Sequence, residues 1–183
     1  MIGQLLASAL AATAITFRKE LFGKKYETIV YDQKLSDIFD LVEEAERYLD
    51  IGKLRKAATL IDQQLKIDSE HPTPYALLGR YYQLHASDLK GNNKRIIIDK
   101  SLDSYNNALE LAKLFTPLKV LPVFRQKVNN QIGLVLGVRS RCKFDAGDIA
   151  GAIVDLKASL EYDLPNDVKR ASKEVLDSLQ SLG

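Results

Sequence analysis

From Ser36 to the end of the chain, apolar residues recur every three or four positions, the period of a helix face. No stretch beyond residue 36 alternates with period two, so the body is predicted to be all-α. Ile38, Leu41, Val42, Ala45, Tyr48 and Leu49 form the first stripe, preceded by Ser36, an N-cap residue type, and ended at Gly52. Leu54, Ala57, Ala58, Ile61, Leu65 and Ile67 form the second. After the two-proline turn 68–74, a third helix is predicted to start near Pro74 and carries Tyr75, Leu78, Gly79, Tyr82 and Leu84. Thr73, directly before Pro74, is expected to avoid helical geometry.

The segment 87–95, with Gly91, Asn92 and Asn93, reads as an exposed basic loop. Helix resumes through Ile96, Ile97, Leu102, Tyr105, Ala108, Leu109 and Ala112. Pro117 and Pro122 mark a junction, followed by a long segment from Val123 to about Phe144. Gly147 begins a turn, Ile149 to Leu160 a further helix, and Pro165 ends it. The last helix, Asp167 to Leu182, is expected to turn Val168, Ala171, Val175, Leu176 and Leu179 inward.

Residues 1–22 differ in kind. Met1 to Phe17 has no charged side chain, and Arg18, Lys19, Lys24 and Lys25 follow it. A secretory signal carries its positive charge before the apolar stretch, which disfavours that reading. As a helix, Ile2 to Phe17 spans roughly 24 Å, short of a ~30 Å hydrocarbon core unless Leu21 and Phe22 extend it. Gly3, Ala7 and Ala11 fall at the spacing that lets membrane helices approach. The expectation is a membrane anchor through Ile2, Leu5, Leu6, Leu10, Ile15 and Phe17, with the basic flank keeping the body on the cytoplasmic side. The alternative is a soluble chain whose N-terminal helix packs on protein. Residues 23–36 read as a linker and 37–183 as the helical domain.

Composition narrows the function. With 26 basic and 24 acidic residues, the net charge of +2 excludes the strongly basic character of a dedicated nucleic-acid binder. One cysteine, Cys142, cannot form an internal disulfide, and with only two histidines, His71 and His85, a zinc site is unexpected. There is no phosphate-binding glycine loop and no metalloprotease motif, and neither histidine has a triad companion. We therefore expect no enzyme, no cofactor, no metal and no small-molecule substrate.

The spacing Tyr75-x2-Leu78-Gly79-x2-Tyr82 resembles the first-helix signature of the tetratricopeptide repeat, with Tyr in the usual place of Trp. Tyr105, Ala108 and Leu109 fit the second helix. One unit earlier lie Leu41, Ala45, Tyr48, Gly52, Ala57, Ile61 and Leu65, and one later Leu136, Ser140, Gly147, Ala152, Leu156, Leu160 and Pro165. The resemblance implies a right-handed helical-hairpin solenoid of about three units over residues 38–165, closed by a C-terminal capping helix. The departures are about ten additional residues around 86–95, a further insertion before the third unit, and Lys143 where an aromatic is usual.

That family lines a concave groove with the first helix of each unit. The resemblance places Phe39, Val42, Glu46 and Leu49 there from the first unit, Thr73, Ala76, Arg80 and Gln83 from the second, and Leu134, Gly137, Arg141 and Phe144 from the third. It implies a scaffold or adaptor binding one or more proteins or peptides, probed by Arg80 and Arg141 as carboxylate-matching forks. Each Arg could instead pair with Glu46 or face solvent. Glu46 stands where chaperone-binding members place a cation, which disfavours chaperone tails as ligands. The competing expectation is a structural accessory subunit whose N-terminal helix packs on another polypeptide.

Overall fold

The computed structural model describes residues 38, 40–114 and 121–181. The expected anchor 1–22, the linker 23–36, Phe39 and Pro117 lie outside the described residues. Among the described residues every regular element is helical. Helix α1 runs through 40–50. It is followed by α2 (Leu54–Ile67), α3 (Pro72–His85), a 3-10 turn (Ala86–Asp88), α4 (Gly91–Leu114), α5 (Leu121–Asp145), α6 (Ile149–Leu160) and α7 (Asn166–Gln180). None of these described helices is long and apolar enough to cross a membrane.

From α2 onward successive helices pack on one another, and the pairs α4–α5 and α5–α6 run antiparallel. Lys143 reaches the Gly151 carbonyl, Arg139 reaches Asp155, and Ser159 reaches the Gly133 carbonyl, so α5 ascends as α6 descends. Arg139 to Asp99 and Arg125 to the Ala112 carbonyl establish the same relation between α4 and α5. The buried residues divide into three clusters in chain order: α1, α2 and α3 share the first, α3, α4 and α5 the second, α6 and α7 the third. Helix α3 joins the first two through opposite sides, with Leu77 in one and Ala76 in the other.

Two turns are built alike. Gly52 (φ 70°) closes α1 and Gly147 (φ 82°) closes α5, both in the left-handed region that favours glycine. At each, the residue after the glycine donates to a carbonyl five positions back, Lys53 to Tyr48 and Asp148 to Lys143, while the glycine itself donates three positions back. This is the Schellman closure, which satisfies carbonyls a helix end leaves open. Small residues follow at matching places, and Ala57 and Ala152 are both fully buried.

A second device also occurs twice. In the α3–α4 pair, Ser101 Oγ donates to the Gly79 carbonyl at 2.8 Å, and the Tyr105 ring lies on Gly79. In the α5–α6 pair, Ser159 Oγ donates to the Gly133 carbonyl at 2.7 Å, and Tyr162 lies on Gly133. Each glycine admits an aromatic side chain against the helix backbone, and each buried serine takes up a second lone pair of the exposed carbonyl.

The boundaries differ from expectation at two places. Helix α3 starts at Pro72, not near Pro74, and Thr73 is helical. His71 is extended, as a residue before proline should be, and its Nδ1 accepts from the Thr73 amide at 3.3 Å. Pro74 then sits in the first turn, where the amide it lacks has no helical partner to miss. The basic loop 87–95 is mostly structured: a 3-10 turn is followed by α4 from Gly91, itself at φ 55°. Gly91 and the two asparagines start a helix here instead of spacing two apart. In α7, Leu176 and Leu179 are buried as expected, but Ala171 and Val175 are exposed and Val168 only half-buried.

A Cβ at Gly79 would stand 2.7 Å from the Tyr105 ring, whereas one at Gly137 would meet nothing closer than Ser159 Oγ at 3.8 Å. Gly79→Ala is therefore expected to destabilise the fold by about 1–3 kcal/mol. Gly137→Ala should instead leave stability unchanged or raise it by up to about 1 kcal/mol through helix propensity. Urea unfolding followed by circular dichroism measures both.

Candidate partner-binding grooves

In the first half of α5 only Phe124, Val128 and Ile132 are apolar between 124 and 132, and they form one buried stripe, whereas around Gly133 to Val138 apolar residues fall on several sides. Ionic contacts also fix the helix's orientation. Arg139 donates to both oxygens of Asp155 at 2.8 Å and to Asp99 at 3.1 Å, and Lys143 reaches Asp155 at 2.9 Å. Asp155 is buried, and its carboxylate with the Asp99 carboxylate holds the Arg139 guanidinium firmly in its charged form. With about 100° per residue, turning 139 and 143 toward α6 turns 127, 131, 134, 138, 141 and 145 to the opposite side, within an arc of roughly 80°. That stripe runs along two grooves.

The smaller groove, about 480 Å³, lies where the end of α1, the face of α3 and the first half of α5 come together. Asp50, Thr73, Ala76, Arg80, Lys127 and Gln131 contribute to its lining. Arg80 is paired with Asp50 at 2.5 Å, not with Glu46. Tyr105 forms part of the floor. Burial pushes its phenol up out of the ordinary range, with Arg80 opposing, and its hydroxyl donates to Gln83 Oε1 at 3.2 Å.

The larger groove, about 1150 Å³, is bounded by the second half of α5, by α7 and by the start of α4. Leu134, Gly137, Val138 and Phe144 meet Val168, Ala171 and Val175 across it, over Leu156 and Leu179. Lys90, Lys94 and Arg95 stand along one rim. Arg141 bonds Asp145 at 2.9 Å and lies 5.7 Å over the Phe144 ring. Cys142 also lines this groove. Burial raises its thiol pKa while Lys94 and Arg95 lower it, so the thiol is not activated.

The residues expected on one concave face are thus distributed. Ala76 and Arg80 line the smaller groove, as does Thr73, and Arg141 and Phe144 line the larger with Leu134 and Gly137. Gln83 is engaged by Tyr105 rather than offered in either lining. Val42, Glu46 and Leu49 are buried, the two apolar ones in the first core cluster, and present no surface to a partner. Sequence reasoning missed the early stripe residues Lys127 and Gln131 and the α7 wall. The positions 127, 131, 134, 138, 141 and 145 share helical spacing but mix Lys, Gln, Leu, Val, Arg and Asp, so no hydrophobic period marks them. Among the described residues no three His, Cys, Asp or Glu side chains converge as a metal site.

No family model matches the chain, and no curated protein matches it.

His71, beside Thr73, generates a pH dependence. Burial pushes its pKa down to about 4, against the opposing Asp68 carboxylate, so the folded protein holds it neutral, with Nδ1 capping α3. Between pH 6.5 and about 4 the unfolded chain binds a proton here that the folded chain does not, so stability falls as pH falls through that window. His71→Asn keeps a capping acceptor without titrating. Relative to this variant, the wild type should lose about 2–3 kcal/mol between pH 7 and pH 4.5, read from urea unfolding at the two pH values.

Proposed function

We propose that the chain is a tetratricopeptide-like scaffold that assembles partner proteins along the groove-lining stripe of α5. In this reading α1–α2, α3–α4 and α5–α6 are three hairpins of a right-handed solenoid, α7 is the capping helix, and residues 1–22 tether the array to a membrane with its body on the cytoplasmic side. The observation that carries it is the continuous α5 stripe opening into two grooves lined by α1, α3, α5 and α7, with the start of α4 along one rim of the larger. The repeated Schellman turns at Gly52 and Gly147 support the unit assignment, as do the repeated Gly–Ser–Tyr contacts. Lys143, at the expected aromatic position, is accounted for by its contact with Asp155.

A scaffold of this kind acts through contact area and not through bond-making. Its partners gain from desolvating apolar groove walls and from the charges at the rims. A photo-cross-linking amino acid placed at Gln131 or Arg141 should yield discrete protein adducts in cells expressing the full chain. The same residue at Val154, 63% exposed on α6, should not. Equal adducts from all three positions would contradict use of the α5 stripe. The tether is tested separately: the full chain should sediment with membranes, and deletion of residues 2–22 should release it. Recovery of both forms in the soluble fraction would refute the tether.

A further inference from the structure

We infer that the larger groove receives an amphipathic helix of about three turns whose flank facing α4 is acidic, a partner class that deepens the scaffold reading and rests on it. Three observations lead there. First, the walls are helices carrying apolar side chains at helical spacing, with Val175 50% exposed and Phe144 37% exposed, so an apolar ridge is left without a counterpart. The α7 wall from Val168 to Leu179 runs roughly 17 Å, the length of three helical turns. Second, these walls offer little to a strand-like ligand. An extended peptide would bury backbone amides and carbonyls against apolar side chains, whereas a helix satisfies its own.

Third, the charge at the rim is uncompensated. Lys90, Lys94 and Arg95 make no ion pair among the described residues, and α4 has no acidic residue in its first turn. Lys90, Lys94 and Arg95 all belong to the groove lining, which places them along its rim. Arg141 on the floor side is already satisfied by Asp145. Glu174, on the opposite wall, disfavours acid on that flank, so a partner helix enters with its carboxylates toward α4. An orientation, not only a location, is thereby specified.

The test uses the full chain, whose single cysteine, Cys142, lines the groove. Three synthetic amphipathic helices of about 18 residues serve as probes: one with a leucine stripe flanked by Glu, one with Lys replacing Glu, and one with Ser replacing Leu. Binding is read by fluorescence anisotropy, and occupancy by slowed N-ethylmaleimide labelling of Cys142. The Glu probe is expected to bind at least tenfold more tightly than the Lys probe and to protect Cys142, and the Ser probe to do neither. Lys94→Glu with Arg95→Glu should reverse the charge preference, and Val175→Asp should weaken both leucine probes, with melting temperatures unchanged because these side chains are wholly or partly exposed.

Glu and Lys probes that bind equally and protect Cys142 would overturn the acidic preference while leaving the scaffold reading in place. Failure of every probe to protect Cys142 overturns the inference, and the scaffold reading then stands or falls on the cross-linking. Protection without any probe that vanishes on dilution would assign the groove to a second copy. Protection that persists on dilution would assign it to residues 1–22, and protection by phosphatidylglycerol vesicles alone to lipid; each overturns the inference.

Discussion

The guanidinium of Arg139 sits between two carboxylates, and the rest of the arrangement follows from that. Its fork grips buried Asp155 on α6, its remaining terminal nitrogen reaches Asp99 on α4, and Lys143 completes the coordination of Asp155 one turn later. Three helices are thus pinned at one depth. A paired carboxylate this deeply buried tolerates little displacement, because losing a partner leaves charge away from water. The contact therefore sets the rotation of α5 together with the buried stripe of Phe124, Val128, Ile132 and Val135. Rotation in turn decides which α5 side chains are core and which form the wall of the two grooves.

The remaining packing works by close approach. Alanines at 45, 57, 108, 112 and 152 are fully buried, and glycines at 79 and 133 lie beneath tyrosines. Small residues of this kind bring helix backbones together and let each pair stack on the next. The buried side chains divide into three successive clusters, with α3 serving two of them. Such an arrangement leaves parts of α3, α5, α7 and the start of α4 uncovered, where the grooves occur. The proposed scaffold role draws on this geometry: the grooves are what remains after each helix has met its sequence neighbours.

Much of this was legible in the chain. The helical period marked five of the seven described helices at close to their observed limits, and Gly52 and Gly147 were readable as turns because few residues accept a positive φ. Local signals misled at Gly91 and the two asparagines, where turn chemistry proved to be the start of a long helix that packing against α3 and α5 sustains. Thr73-Pro74 misled for a related reason, since proline is tolerated throughout the first turn. The site was less legible. Val42 and Leu49 carry the same periodicity whether they face a neighbour helix or a groove, and only the packing of α1 on α2 and α3 decides. Lys143 reads as a defect in the repeat until its distant carboxylate partner is known.

The dependence of the fold on the Arg139–Asp155 contact is tested most directly by a double-mutant cycle. Asp155→Ala and Arg139→Ala should each cost about 2–4 kcal/mol in urea unfolding. The double variant should cost at least about 1 kcal/mol less than their sum, because the second removal no longer strands a charge. Additive effects, each below about 1 kcal/mol, would contradict the claim that this contact positions α5.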